Sequence, residues 1–206
     1  SIANQSVQNF EWIVLDGGST DGTVQVLMQY RNRMSFFRTG PDDGIYAAMN
    51  EGISHATGEY CLFLNGGDSL FSESALEAAL PYMNEKNDVI VGDTWFHESN
   101  DRPFYPRMVN LLSLVIFGLP HPSSLIRTYL LRDSGGYDVN FKIAADLDLF
   151  FRLRRKANVH FVRIPVVISR FYQDGVSSQN ALRSWNEALD VYRRNLPPWK
   201  YGLYVC

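Results

Sequence analysis

Carboxylates stand at positions where an alternating strand-and-helix chain would place reactive groups. In WIVLDGGSTDGT a hydrophobic strand from Trp12 to Leu15 runs into Asp16, turns through Gly17 and Gly18, and restarts at Ser19-Thr20-Asp21. A carboxylate at a strand's carboxyl end marks the ligand crevice of an α/β sheet. Thr20 or Asp21 can cap the helix that follows, where Val24, Leu27 and Met28 recur at helical spacing, so that backbone N–H groups face the place where a nucleotide would lie. The turn is neither a phosphate loop nor a G-x-G-x-x-G dinucleotide turn. A second strand, Tyr60 to Leu64, runs into Asn65-Gly66-Gly67-Asp68. An amide and a carboxylate there offer the oxygen ligands that a hard divalent cation bridging a diphosphate requires. A further acid, Asp146, lies near the start of an amphipathic helix in KIAADLDLFFRL; Asp148 points elsewhere on that helix and reads as structural.

The elements that must hold these groups follow from periodicity. A helix over 21–30 follows the Asp16 turn, and Ile45, Ala48, Met49, Gly52, Ile53 and Ala56 trace a helical stripe closed by Gly58. After the Tyr60 strand come a helix with Leu76, Ala79, Leu80 and Met83 on one face and a third strand at Val89 to Val91. Alternation of this kind predicts an α/β sheet covered by helices. The second half is less regular: a Pro- and aromatic-rich connection from Pro103 to Pro122, the Asp146 helix, a strand near Val166 to Phe171 and a last helix around Leu182 to Arg194. Ser1 to Asn9 reads as the tail of a helix entering the Trp12 strand.

The 206 residues, 46% hydrophobic and 14% aromatic, suit one compact domain. Its expected parts are a half with the strand-end carboxylates, suited to nucleotide and metal (1–100), a part with the Asp146 helix, to which the family resemblance given by these motifs assigns acceptor and catalysis (101–180), and a helical end (181–206). The net charge of −3 hides an asymmetry: residues 1–103 carry 5 Lys or Arg against 15 Asp or Glu, and residues 104–206 carry 14 against 7. The acidic half suits a metal-dependent site, and the Arg-rich half could face anionic lipid or a phosphorylated acceptor. No nucleic-acid motif accompanies the basic residues, which argues against nucleic acid as a partner. Cys61 and Cys206 give neither metal-ligand spacing nor a disulfide framework, so a reducing compartment is expected, with Cys61 a core side chain. The longest apolar stretch, Leu111 to Leu119, falls far short of the ~20 residues needed to cross a bilayer, and a cytoplasmic location is expected.

Taken in order, these motifs resemble glycosyltransferase family 2, and in particular bacterial enzymes that extend capsule, exopolysaccharide or O-antigen repeat units. The resemblance covers about residues 1–180. It implies a GT-A-like, Rossmann-like fold with a mixed, mainly parallel sheet flanked by helices, here without its first strand, as if truncated at the N-terminus. It implies an inverting, metal-dependent transfer of a sugar from a nucleotide-diphosphate donor to a hydroxyl of a glycan or polyprenyl-linked acceptor. GEYCLFLNGGDSL resembles the family's metal motif, D-x-D or N-x-x-D, which makes Asp68 the ligand of Mn²⁺ or Mg²⁺ with Asn65 secondary; Gly67 stands where D-x-D has its second acid. KIAADLDLFFRL is similar to E-D-x-D-L-x-x-R-L, whose second acid, the general base, maps to Asp146, with Ala145 in place of the acid before it. A carboxylate at a helix N-terminus is held in its charged form, so such a base would work by position, with departure of the metal-bound diphosphate carrying most of the reaction.

On the donor side the resemblance implies that Asp16, with Gly18 and Ser19, reads the base. DDGIYAAMNEGISHATGEY supplies Asp43 and Asn50, the latter as a sugar or phosphate contact and the former also readable as a helix cap. DGVSS supplies Gly175 and Ser177 to a loop over the diphosphate. His121, held between prolines in the rigid loop GLPHPSS, would bind acceptor or phosphate if exposed, or else be a hydrogen-bonded structural residue. The last helix, with Trp185, Leu189, Tyr192, Leu196 and Trp199 among Arg and Lys, is expected either to touch the inner face of the cytoplasmic membrane peripherally or to dock on the sheet. A non-catalytic nucleotide-sugar-binding or assembly module, favoured by Gly67 and Ala145, stays open, as does a nucleotidyltransferase of related architecture.

Overall fold

The computed structural model describes residues 1–101, 108–172 and 180–205. The chain alternates from β1 (Ile13–Asp16) through α1 (Thr23–Met28) to β2 (Phe36–Thr39), which pairs parallel to β1 with Ile13 opposite Phe36 and Asp16 opposite Thr39. α2 (Ile45–His55) then packs across β1. β3 (Tyr60–Cys61), β4 (Ser69–Leu70), β5 (Val89–Phe96), β6 (Ser124–Arg127) and β7 (Phe161–Phe171) make a second sheet in the order β3-β6-β5-β7-β4. Between and after them run α3 (Ala75–Ala79), α4 (Leu111–Phe117), α5 (Thr128–Asp133), α6 (Ala145–Arg155), α7 (Ala181–Asn195) and α8 (Pro198–Val205). The architecture is the mixed α/β one expected. Its longest pairings, β1 with β2 and β5 with β7, are parallel, and the short flanking ones are antiparallel.

The unbroken apolar run Val89-Ile90-Val91 has its reason in this arrangement. Strand side chains alternate between faces. Val89 and Val91 join Leu149, Phe150, Phe151 and Leu153 of α6 in one core, while Ile90 joins Ala75 and Ala79 of α3, with Leu125, Ile164 and Ile168, in the other. Because helices cover both faces, no polar alternation is tolerated there. Gly92 marks a register shift between β5 and β7. A Cβ at that position would lie 2.6 Å from Ile168 Cδ1 and 2.8 Å from the carbonyl oxygen of Val166, so the close approach of β7 requires glycine. The hydroxyls of Thr94, Ser123 and Ser169 meet beside it, at 2.8, 3.1 and 2.7 Å, and pin the irregular stretch with buried hydrogen bonds.

Several elements depart from expectation. Ser1 to Asn9 is not helical; its Gln5 side chain instead bonds to the backbone of Ser72 and Leu76. Only Tyr60 and Cys61 of the second strand enter a ladder, and the helix after it stops at Ala79, where Pro81 forces a tighter turn over Leu80–Tyr82. The third strand and the strand near Val166 are longer than expected, since each supplies the other's partner over most of its length. The connection before Pro122 contains α4, started by Asn110 accepting from the Ser113 N–H while the Ser113 hydroxyl accepts from the Asn110 N–H. Cys61 is half-buried against the first core, as expected.

Candidate active site

Asp16 ends β1 and is 7% exposed. Its Oδ2 accepts from the N–H groups of Gly18 (3.1 Å) and Ser19 (3.0 Å) and from the Thr39 hydroxyl, which the β1–β2 register places alongside. The hydroxyls of Ser19 and Thr39, with those two N–H groups, hold its carboxyl down at about 2, so it is charged at any working pH. The turn can close because Gly18 sits at φ +91°. The N–H groups of Gly18 and Ser19 are therefore turned onto Asp16. The expected cap is also different: Gly22 precedes α1 with no side-chain bond, and Asp21 accepts from the N–H and hydroxyl of Thr23.

Of the adjacent acids just before α2, Asp42 rather than Asp43 is engaged. Its Oδ1 accepts from the Gly44 N–H at 2.9 Å, and its Oδ2 would stand 3.1 Å from a Cβ at Gly17. Asp43 is exposed and does not cap α2, whose N-cap is Gly44. The spacing D-x-G of an Asx turn is the signal that would have selected Asp42.

Asp146 lies in the first turn of α6, half-buried, with its Oδ1 accepting from the Leu147 N–H at 2.8 Å. Its surroundings are neutral. The Tyr46 hydroxyl, on the first turn of α2, donates to the Ile143 carbonyl and lies 3.4 Å from Asp146 Oδ1. Burial and the Asp146 charge push the Tyr46 and Tyr137 hydroxyls well above the ordinary tyrosine range, so both stay protonated. Among the described residues no Lys or Arg pairs with Asp146. Beside it opens a cavity of about 210 Å³, lined by Leu119, Leu147, Phe150, Ser184 and Ala188. The opposite face of α6 borders a larger one, about 550 Å³, among Arg152, Arg155 and Arg194. The smaller cavity is the one that holds an unpaired carboxylate. In the larger, Asp148 is taken by Arg152 at 2.7 Å and Asn195 at 3.1 Å, the structural role expected of it.

Two expected contacts are occupied elsewhere. His121 is buried, not exposed: it stacks on Phe63, and its Nε2 shares a 2.8 Å hydrogen bond with the Tyr137 hydroxyl. Burial lowers its pKa, against the pull of Asp146, so the ring is a neutral packing group. Asn50 donates to the Tyr137 carbonyl and accepts from the Tyr137 N–H, both at 2.8 Å. Its amide clamps the loop that carries Tyr137. Gly175 and Ser177 lie outside the described residues.

Asp68 is half-buried and Asn65 exposed at the turn beyond β3. Burial pushes the Asp68 carboxyl up to about 6, against the Asn65 N–H that it accepts. Among the described residues no set of three or more His, Cys, Asp or Glu is gathered to hold a cation. A desolvated carboxylate with no cationic partner among the described residues does fit an ion whose other ligands are diphosphate oxygens and water, as Mg²⁺ commonly is.

The last helices are docked on one side and bare on the other. Val191, Tyr192 and Leu196 are buried in the first core, whereas Leu182, Trp185 and Trp199 are exposed. Of the arginines, Arg152, Arg193 and Arg194 pair with Asp148, Asp190 and Asp138, and Arg154 donates to the Val109 carbonyl. Among the described residues no helix is long and apolar enough to cross a membrane.

A mixed α/β sheet with a carboxylate at the carboxyl end of β1 and another in the first turn of a buried helix has the arrangement of a ligand-binding α/β fold. Comparison with known proteins gives the family: the chain belongs to glycosyl transferase family 2, whose model matches residues 1–158. A PGL/p-HBAD biosynthesis glycosyltransferase of Mycobacterium bovis BCG is 29% identical over 186 residues, 87% of this chain and 69% of that protein. An uncharacterized glycosyltransferase of Mycobacterium tuberculosis is 32% identical over 175 residues, 82% of this chain and 65% of that one. Among solved structures, Staphylococcus aureus TarS 1-349 in complex with UDP-GlcNAc superposes with a TM-score of 0.77 at 22% identity, over 94% of this chain and 59% of that one. A mannosyltransferase from Pyrobaculum calidifontis, in complex with GDP-Man and Mn²⁺, gives 0.67 at 14%, over 94% and 57%. The chain thus spans about two thirds of the length of these mycobacterial relatives and about six tenths of the solved chains.

Proposed function

We propose that this chain carries the donor and catalytic sites of an inverting glycosyltransferase that moves a sugar from a nucleotide-diphosphate donor to a hydroxyl of a glycan or lipid-linked acceptor in cell-surface polysaccharide synthesis. The observation that carries the reading is the entry into α2. Asp42, just before the helix, lies against the Asp16 turn at Gly17, and Tyr46, the second residue of the helix, lies against Asp146. One short segment therefore spans from the proposed donor turn to the candidate base, which suits an in-line displacement between a bound donor and an acceptor hydroxyl. Asp16, charged and fixed by its four partners, would contact the nucleoside. Asp146 would take the acceptor proton as the sugar carbon is attacked from the face opposite the diphosphate. Asp68, with Asn65, would hold Mn²⁺ or Mg²⁺, which when bound supplies the positive charge that stabilises the departing diphosphate. Family membership and the nucleotide-sugar complexes of the superposed structures support the same class of donor.

The test is calorimetry of UDP, GDP and dTDP against the full-length protein, with Mn²⁺ and with a chelator, together with Asp146→Asn. Metal-dependent binding of one nucleotide is expected. Asp146→Asn should keep that affinity within about twofold and lose about 10²-fold or more in turnover, the scale of a positioned base. No nucleotide binding would favour a non-catalytic module, and an Asp146→Asn enzyme with full turnover would remove Asp146 from the role of base.

A further inference from the structure

The helix that carries Asp146 begins without a cap of its own. Ala144, which precedes α6, has no side-chain acceptor. The entering N–H groups are taken instead by a residue of α7: Glu187 Oε2 accepts from Lys142 (2.9 Å), Ile143 (2.8 Å) and Ala144 (3.1 Å). Its other oxygen, Oε1, is held by Arg183 at 2.9 Å, one turn earlier on α7. Glu187 is half-buried, so the carboxylate is locked between a backbone nest and an arginine. α7 also reaches the cavity beside Asp146 through Ser184, about one turn before that cap, and Ala188, the residue after it.

Helix starts attract carboxylates, and an acid in the first turn competes for unpaired N–H groups. Asp146 already shows the pull, since its Oδ1 is on the Leu147 N–H. We propose that Glu187 is a positioning residue for Asp146: by occupying the N–H groups of Lys142, Ile143 and Ala144 that lead into α6, it denies them to the Asp146 carboxylate, which stays on the Leu147 N–H at the edge of the cavity instead of folding back over the helix start. The family model matches residues 1–158, and α7 follows that stretch. The inference rests on Asp146 being the base.

The experiment measures steady-state release of nucleoside diphosphate from UDP-, GDP- and dTDP-glucose with Mn²⁺, water serving as acceptor, for the full-length protein and for Glu187→Ala, Glu187→Gln and Asp146→Asn. Nucleotide affinity and thermal unfolding are measured alongside. Glu187→Ala should lower kcat about 30-fold, between no effect and the ~10²-fold that an ångström of misplacement can cost, with donor KM within about twofold. Glu187→Gln retains an acceptor oxygen and should lose only about 3-fold, a partial rescue that a bulk packing role does not give. The proposal is overturned if Glu187→Ala keeps kcat within about twofold, if kcat and donor affinity fall together, or if neither variant folds, since Glu187 would then be scaffold only. Asp146→Asn separates the two levels: full turnover there refutes the base itself, whereas an inactive Asp146→Asn beside an unaffected Glu187→Ala refutes the positioning role alone.

Discussion

Truncating Asn50 to alanine tests whether its amide serves the fold or the donor. The side chain makes two hydrogen bonds to one residue, Tyr137, which is 2% exposed. The fit is close enough that a Cβ at Gly136 would lie 2.3 Å from Asn50 Oδ1, and Gly136 has φ +70°. Asn50→Ala leaves one buried N–H and one buried C=O without partners, each costing about 1–3 kcal/mol, so a loss of about 4 kcal/mol is the central value. For a chain of this size 1 kcal/mol moves the midpoint by about 2–4 °C, which predicts a Tm lower by about 8–16 °C. The Tyr137 hydroxyl would also lose its fixed geometry with His121. Scanning calorimetry with nucleotide titration on the same samples is the assay. A Tm unchanged within about 2 °C, coupled with lost nucleotide binding, would refute the clamp and return Asn50 to the donor contact first expected of it.

Gly92→Ala should destabilise by at least about 1–3 kcal/mol, because the new methyl meets the Val166 carbonyl, which cannot move aside, as well as Ile168; urea unfolding measures this, and a neutral effect would mean that β5 and β7 can separate freely there. The Asp16 carboxyl is held below its ordinary value, so its bonds stabilise the fold fully above about pH 4 and lose that contribution as pH falls toward about 2. Asp16→Asn should therefore flatten the acid side of the stability curve over that window, and an unchanged acid limb would contradict the bonding described.

Much of this arrangement can be read from residue order where local chemistry decides it. The strand ending on Asp16, the stripe of α2 and the amphipathic start of α6 each carry their own periodicity, and α6 accordingly appears where KIAADLDLFFRL puts it. β2 escapes notice because Phe36–Thr39 is short and only half-buried, without alternation. α4 is hidden because LLSLVIF is apolar on every side and reads equally as a buried strand. His121 misleads for a different reason: prolines fix a loop but do not say which way it faces, and Phe63, Tyr137 and Phe150 turn it inward. Of the partners of Glu187 only Arg183, at helical spacing, leaves a signal; the others lie about 45 residues away and are backbone atoms, whose identity no side-chain pattern encodes.

The uneven covering of the two sheets has a dynamic consequence. β5 buries six residues in succession, whereas β1 has a single buried residue, Asp16, and neither α1 nor β2 has any. Opening the β1–β2 unit exposes little apolar surface, so it lies toward the low end of the molecule's ladder of local unfolding free energies, while β5 and its neighbours open only with the whole. The Asp16 turn, proposed to meet the donor, is thus built on the softer part of the chain, and any nucleotide that requires Asp16 to be closed on Gly18, Ser19 and Thr39 tightens that part as it binds. The measured donor affinity is then the intrinsic one reduced by the fraction of molecules in which the turn stands open.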